Sequence, residues 1–121
     1  MRDWVFKILR PSEWAACHES VSFEGAPIDV SDGYIHFSTI EQLKGTADKH
    51  FADENTVHVA VFTATSWSKH LRWEPSRGGQ LFPHLYQPLD MTLSVKNWTL
   101  DKTPKDGFDI SAIKQWAKSH D

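Results

Sequence analysis

Arg72 to Tyr86 reads RWEPSRGGQLFPHLY. Two guanidinium groups, a carboxylate, an imidazole and a phenol fall in fifteen residues with two adjacent glycines. Arg72 and Arg77 can each fork onto a phosphate or a carboxylate. Gly78 and Gly79 allow φ > 0 and close approach of backbone to a ligand. Glu74 can orient an Arg, or act as acid or base if its pKa is shifted. His84 and Tyr86 add titratable groups beside Phe82 and Leu85. Ser76 adds a hydroxyl, and Trp73 a surface on which a ring can stack. Pro75 and Pro83 stiffen the ends. The composition points to a shaped loop that holds a polar site. The competing reading is a rigid loop in which Arg77 pairs with Glu74 and the aromatics plug the core.

A second constellation is DGYIHFST, Asp32 to Thr39. His36 and Ser38 are two apart on an expected strand, so their side chains share a face. The chain then enters a helix capped by Ser38 or Thr39. Its first turn offers free N–H groups and the positive end of a dipole. Imidazole, hydroxyl and helix start together suit an anionic or ribose-bearing ligand. Alternatively this is a polar sheet face, with His36 structural and Ser38 only a cap.

The elements that must position these groups follow from periodicity. Trp4 to Leu9 (WVFKIL) reads as a buried strand. Pro11 opens a short helix, expected from Ser12 to about Ser20, with Trp14 and Cys17 inward. Ser22 to Gly33 is rich in Gly, Pro and Asp and reads as loop. Tyr34 to Ser38 alternates as a strand, with Ile35 and Phe37 on one face. Glu41 and Gln42 complete capping boxes with Ser38 and Thr39. Ile40, Leu43, Ala47 and Phe51 make a helical stripe that Asp53-Glu54-Asn55 ends. Val57 to Phe62 is apolar enough for a central strand. Further strands are expected near Met91–Val95 and Trp98–Leu100. Asp109 can cap a last helix with Ile110, Ile113 and Trp116 or Ala117 inward. The sum is α+β in one domain, residues 1–121.

The chain has 40% hydrophobic and 24% charged residues and a net charge of −3. That balance fits a globular domain with one core. It lacks the basic footprint of a nucleic-acid or membrane-surface binder. No apolar run approaches membrane-spanning length. The run after Asp3 is too short for a secretory signal. A cytoplasmic protein is expected.

Other chemistries find no support. Cys17 is the single cysteine, which excludes an intrachain disulfide. On a helix face it reads as buried filler. The seven histidines are scattered, without His-Glu-x-x-His or His-x-His, so no metal site is expected. Gly78-Gly79 lacks the Lys and Ser/Thr of a P-loop, and no G-x-S-x-G elbow occurs.

VFKILRPSEWAA, FEGAPIDVSDGYIHFST and LRWEPSRGGQLFPHLYQPL together resemble a bacterial and plant family known as domain of unknown function 952. The likeness covers most of the chain. Gln87 departs from it, standing where many members carry Gly before Pro88. Members of the family look like the ADP-ribosyltransferase fold, with small split antiparallel sheets, short flanking helices and an NAD-sized cleft. YIHFST is also similar to the His-bearing strand of RNA 2′-phosphotransferases of that fold. The resemblance implies that His36 and Ser38 face a ribose and that Arg72 or Arg77 meets a phosphate. It implies NAD as a possible substrate and no certain cofactor. WVFKIL lacks the His or Arg that such transferases place on the first strand.

Three readings of function remain open. One is an enzyme acting on NAD, an ADP-ribose-like compound or a phosphorylated nucleotide. In it Arg72 and Arg77 clamp phosphate, Glu74 stabilises positive charge, and His36, Glu74 and His84 form the catalytic set. The second is a non-catalytic module that binds a small anionic or nucleotide ligand through Ser38, Thr39, Trp73, Ser76, Gly78, Gly79 and Tyr86 with the two arginines. The third is a structural domain acting through a protein partner. The sequence leaves substrate and oligomeric state open.

Overall fold

Strand β1 (Trp4–Leu9) is buried along its whole length. It packs on both faces, which explains its unbroken apolar character. Trp4, Phe6 and Ile8 belong to one core, Val5 and Leu9 to another. The computed structural model describes residues 3–121, with Arg77 described by its backbone alone. Helix α1 (Pro11–Ala16) and strand β2 (Ser22–Phe23) follow, then helix α2 (Pro27–Asp32), strand β3 (Ile35–His36) and helix α3 (Ile40–His50). Strands β4 (Thr56–Thr63), β5 (Leu71–Pro75), β6 (Leu81–Leu85), β7 (Leu89–Asp90), β8 (Lys96–Thr103) and β9 (Gly107–Phe108) come next. Helix α4 (Ser111–Ser119) ends the chain's regular structure.

Among the described residues, three antiparallel sheets result. The largest has the order β1-β4-β8-β9, a second pairs β2 with β7, and a third has the order β3-β6-β5. Val57, Val59 and Val61 of β4 face one core, with Leu43 and Ala47 of α3 and Ile113 of α4. Ala60 and Phe62 face the other, with Phe37, Trp67, Leu71 and Leu85. The large sheet thus lies between helices on one side and the three-stranded sheet on the other. The fold is α+β, with antiparallel sheets and short helices.

β4 is central, as its apolar run requires. The Thr39 cap also forms. Gln42 N donates to Thr39 Oγ1 at 3.3 Å, and Thr39 N donates to Gln42 Oε1 at 3.0 Å. Leu43 and Ala47 are buried, while Ile40 and Phe51 flank them. Asp109 Oδ1 accepts from Ser111 N at the start of α4.

Several expectations need correction. Ser22 to Gly33 is not a loop: it holds β2 and α2. Pro27 opens α2, and Asp29, two residues on, accepts the Ala26 N–H at 2.8 Å and so caps the turn from within. Arg72 to Tyr86 is not a shaped loop but a hairpin, β5 and β6 joined by a tight turn over Arg77–Gly79. Cross-strand pairing outweighs its Gly and Pro content. α1 is shorter than expected; Trp14 and Cys17, which closes it, are half-buried and pack inward against the core as expected. Met91–Leu93 forms a turn, and the strands around it are β7 and β8. Among the described residues, no helix is long and apolar enough to cross a membrane.

Candidate functional site

The register of the three-stranded sheet brings two histidines together. β3 pairs with β6 so that His36 stands opposite His84, and β5 places Arg72 opposite His84. The imidazole centroids of His36 and His84 are 5.5 Å apart. Ile35, Leu71 and Leu85 point into the core, so His36, His84, Arg72 and Glu74 share the opposite face.

Each imidazole is held by carboxylates. His36 Nδ1 is 2.6 Å from Asp29 Oδ1, and Nε2 is 3.0 Å from Asp32 Oδ2. An ionised carboxylate only accepts, so both ring nitrogens donate when both bonds are made. His84 Nδ1 lies 2.8 Å from Glu74 Oε1. The same oxygen accepts the Tyr86 hydroxyl at 2.6 Å. His84 is 2% exposed, and its Nε2 has no hydrogen-bond partner among the described residues.

Asp29 anchors the cluster. It is 1% exposed and takes four donors: Lys7 Nζ and Ala26 N on Oδ2, His36 N and Nδ1 on Oδ1. Burial pushes its carboxyl up, but hydrogen bonds from His36 and Lys7 and the Lys7 charge hold it well below the carboxylate range. Lys7 is 4% exposed and also donates to the His36 carbonyl at 3.1 Å. The Tyr86 and His84 hydrogen bonds lower the Glu74 pKa, and the bond to Glu74 raises that of Tyr86. Tyr34 packs edge-on against His84 at 4.0 Å and stacks on Tyr86 at 5.3 Å. Its pKa is raised by burial, then by the charges of Asp32 and Glu74.

A cleft of about 510 Å³ opens beside this cluster. That volume is in the range of small-molecule sites. Lys7, Arg10, Asp29, Asp32, His36 and His84 line it, with hydroxyls from Ser38, Thr46 and Ser76. Among the described residues, no group of three or more His, Cys, Asp or Glu is arranged to hold a metal.

Of the expected site residues, His36, Ser38, Ser76 and His84 line the cleft. Ser38 Oγ donates to Thr46 Oγ1 at 3.1 Å. Glu74, Arg72 and Tyr86 sit beside it rather than in its wall. The Arg72 guanidinium lies over the Tyr86 ring at 4.9 Å. Thr39 is spent on its cap. Trp73 is exposed and is not among the lining residues. Gly78 and Gly79 have φ of +67° and +76°, the left-handed conformation the hairpin turn requires. The Arg77 side chain lies outside the described residues.

Lys7, Arg10, Asp29 and Asp32 went unread in the sequence as site residues. The signal for Lys7 was a lysine inside an apolar strand, which burial permits only with a charged partner. Its partner is twenty-two residues away, in a segment that reads as loop.

A crystal structure of protein CC0527 from Caulobacter crescentus, a structural genomics target, is similar to this chain at 34% identity and a TM-score of 0.85. It covers 91% of this chain and 96% of that one. A solution NMR structure of CC0527 gives a TM-score of 0.80 at the same identity, over 91% of this chain and 95% of that one. Comparison with curated proteins gives no match. The family model described as a protein of unknown function (DUF952) matches residues 8–96, and the chain belongs to that family.

Proposed function

We propose that the protein is a transferase-like enzyme acting on a nucleotide-type ligand, with His84 as the general base in the cleft. One observation carries this. The His84 Nδ1 proton is engaged by Glu74, while Nε2, on a buried residue of the cleft wall, has no partner among the described residues. An imidazole held at one nitrogen by a carboxylate and unpaired at the other keeps a lone pair that can take a proton. An unpaired buried polar atom also costs about 1–3 kcal/mol, so it calls for a functional reason.

NAD or an ADP-ribose-bearing compound is the substrate this reading favours. The sequence resemblance to the ADP-ribosyltransferase-like fold supports it, as do the split antiparallel sheets and the cleft beside His36 and Ser38. His84 Nε2 takes the proton of an attacking hydroxyl. The oxygen bonds to the ribose anomeric carbon, and the bond to nicotinamide breaks with its electron pair leaving on neutral nicotinamide. Glu74 is then a positioning residue for His84. His36 and Ser38 meet ribose hydroxyls.

A second reading is a non-catalytic nucleotide-binding module. It is favoured by the place of Glu74, whose Oε1 is shared by Tyr86 and His84 and which stands outside the cleft wall. A thermal-shift screen with NAD, ADP-ribose, nucleoside phosphates and nicotinamide, followed by chromatography of NAD incubations, separates the two. The enzyme reading expects a shift of several degrees with NAD, and nicotinamide release that His84→Gln abolishes. A shift without release in the wild type supports the module. No shift with any compound rejects both.

A further inference from the structure

Arg10 lines the same cleft as His84, and its guanidinium is short of acceptors. It carries five N–H donors. Among the described residues it makes one side-chain hydrogen bond, from Nη2 to the His50 carbonyl at 3.4 Å. The carboxylates of Asp53 and Glu54 stand 3.6 Å from Nη2 and Nε, beyond ordinary hydrogen-bond length. Nη1 is closed to solvent and has no partner among the described residues. The Phe51 ring supports the group at 4.6 Å without using its donors.

Three buried side-chain polar atoms lack a partner among the described residues. Two, Arg10 Nη1 and His84 Nε2, belong to the wall of this cleft. The third, Trp67 Nε1, belongs to a residue of the core between the sheets. The carboxylates of the wall are engaged by contrast. Glu13 accepts from the Arg10 backbone N–H, Asp29 takes four donors, and Asp32 takes His36. Lys7 is committed to Asp29 and the His36 carbonyl. Of the Lys and Arg side chains in the wall, Arg10 is the one whose carboxylate contacts, at 3.6 Å, stay beyond hydrogen-bond length among the described residues.

We propose that Arg10 is the phosphate anchor of the cleft, pairing through its guanidinium with the phosphate end of a ligand whose hydroxyl end reaches His84. The role rests on the reading of the cleft as a nucleotide site and is one of binding alone. A guanidinium with several unused donors matches the oxygens of phosphate in a forked geometry that an ammonium lacks. Ser76 lines the same space and brings a hydroxyl for a remaining oxygen. The ion pairs with Asp53 and Glu54, at 3.6 Å, do not take up its donors in hydrogen bonds.

The test is a titration of the isotope-labelled full chain with inorganic pyrophosphate at constant ionic strength, read by NMR at the Arg10 Nε–H and at backbone amides. The expected result is a saturable shift at Arg10, Ser38 and Ser76. Arg10→Gln should weaken binding about tenfold or more, Arg10→Lys by less, and Lys118→Gln on α4 not at all. Equal binding by Arg10→Gln, shifts centred on Arg72, or no saturable shift overturns the proposal. If the Gln variant does not fold, Arg10→Lys decides: weaker binding supports the anchor and unchanged binding rejects it. Anchoring at Arg10 without NAD turnover defeats only the catalytic reading. Turnover that Arg10→Gln leaves intact defeats only the anchor.

Discussion

Glu74 Oε1 lies 2.8 Å from His84 Nδ1 and 2.6 Å from the Tyr86 hydroxyl, so one carboxylate oxygen on β5 fixes two side chains from β6 and its end. Tyr86 is half-exposed and His84 buried, so Glu74 links the surface of the sheet to its sealed interior. The arrangement keeps the proton of neutral His84 on Nδ1 and leaves Nε2, sealed from solvent, without a partner among the described residues.

Glu74→Gln keeps an acceptor for Nδ1 but removes the charge. Turnover of NAD should fall about a hundredfold to ten-thousandfold, the scale of a lost general base. The KM should change by no more than about twofold, since Glu74 does not line the cleft. Steady-state kinetics settles this. A rise in KM with kcat untouched would place Glu74 in ligand binding instead.

Lys7 and Asp29 form an ion pair in which both side chains are sealed from water, at 5% and 1% exposure. Lys7→Met leaves a buried carboxylate without its main counter-charge. The expected loss is about 3–5 kcal/mol in urea unfolding. The double variant with Asp29→Leu should lose less than the two single losses added together.

The same pair sets the acid limit of the fold. The folded pKa of Asp29 lies below its ordinary value of 3.8. The contribution is therefore complete above the carboxylate range and is lost as pH falls below it toward the depressed value. Asp29→Asn should lower stability at neutral pH and flatten the decline below about pH 4. Urea midpoints of both proteins across that window measure it, and parallel curves would dismiss the assignment.

Local rules carried much of the fold. The period of β1 and β4, the Thr39–Gln42 box and the Leu43–Ala47 stripe depend on neighbours in sequence, and all are present. α2 was hidden because Pro27, Asp29, Asp32 and Gly33 favour turns as strongly as helix ends. The hairpin of β5 and β6 was hidden because Pro83 lies in a middle strand, where its missing N–H argues against pairing. Its carbonyl is still used, accepting from Phe37 N at 3.0 Å. His36, Ser38 and His84 were readable by residue type. Their cross-strand register, and the reach of Lys7 to Asp29, are tertiary facts that spacing does not contain.

Thr39→Ala removes one half of the α3 capping box. It should cost about 0.5–2 kcal/mol without altering ligand affinity, since Thr39 does not line the cleft. Calorimetric unfolding and a binding isotherm on one sample check both halves.

Gly107 has φ of +70°, and a Cβ there would meet the Asp48 carboxylate. Asp48 accepts from Phe108 N at 2.9 Å and from Lys44 at 2.9 Å, tying α3 to β9. Gly107→Ala should therefore cost more than the roughly 1–2 kcal/mol of left-handed strain alone. Gly78→Ala, where a Cβ meets nothing within 4 Å, gives the strain by itself. Equal losses in thermal unfolding would mean that Asp48 gives way freely.

The most direct measurement is a long-range 1H–15N spectrum of the histidine rings across a pH series, with and without ADP-ribose. If His84 is the base, its neutral form carries the proton on Nδ1 and leaves Nε2 bare, and ADP-ribose shifts Nε2 far more than Nδ1. A neutral His84 protonated at Nε2, or an Nε2 resonance that ADP-ribose does not move, would contradict the assignment of this cleft.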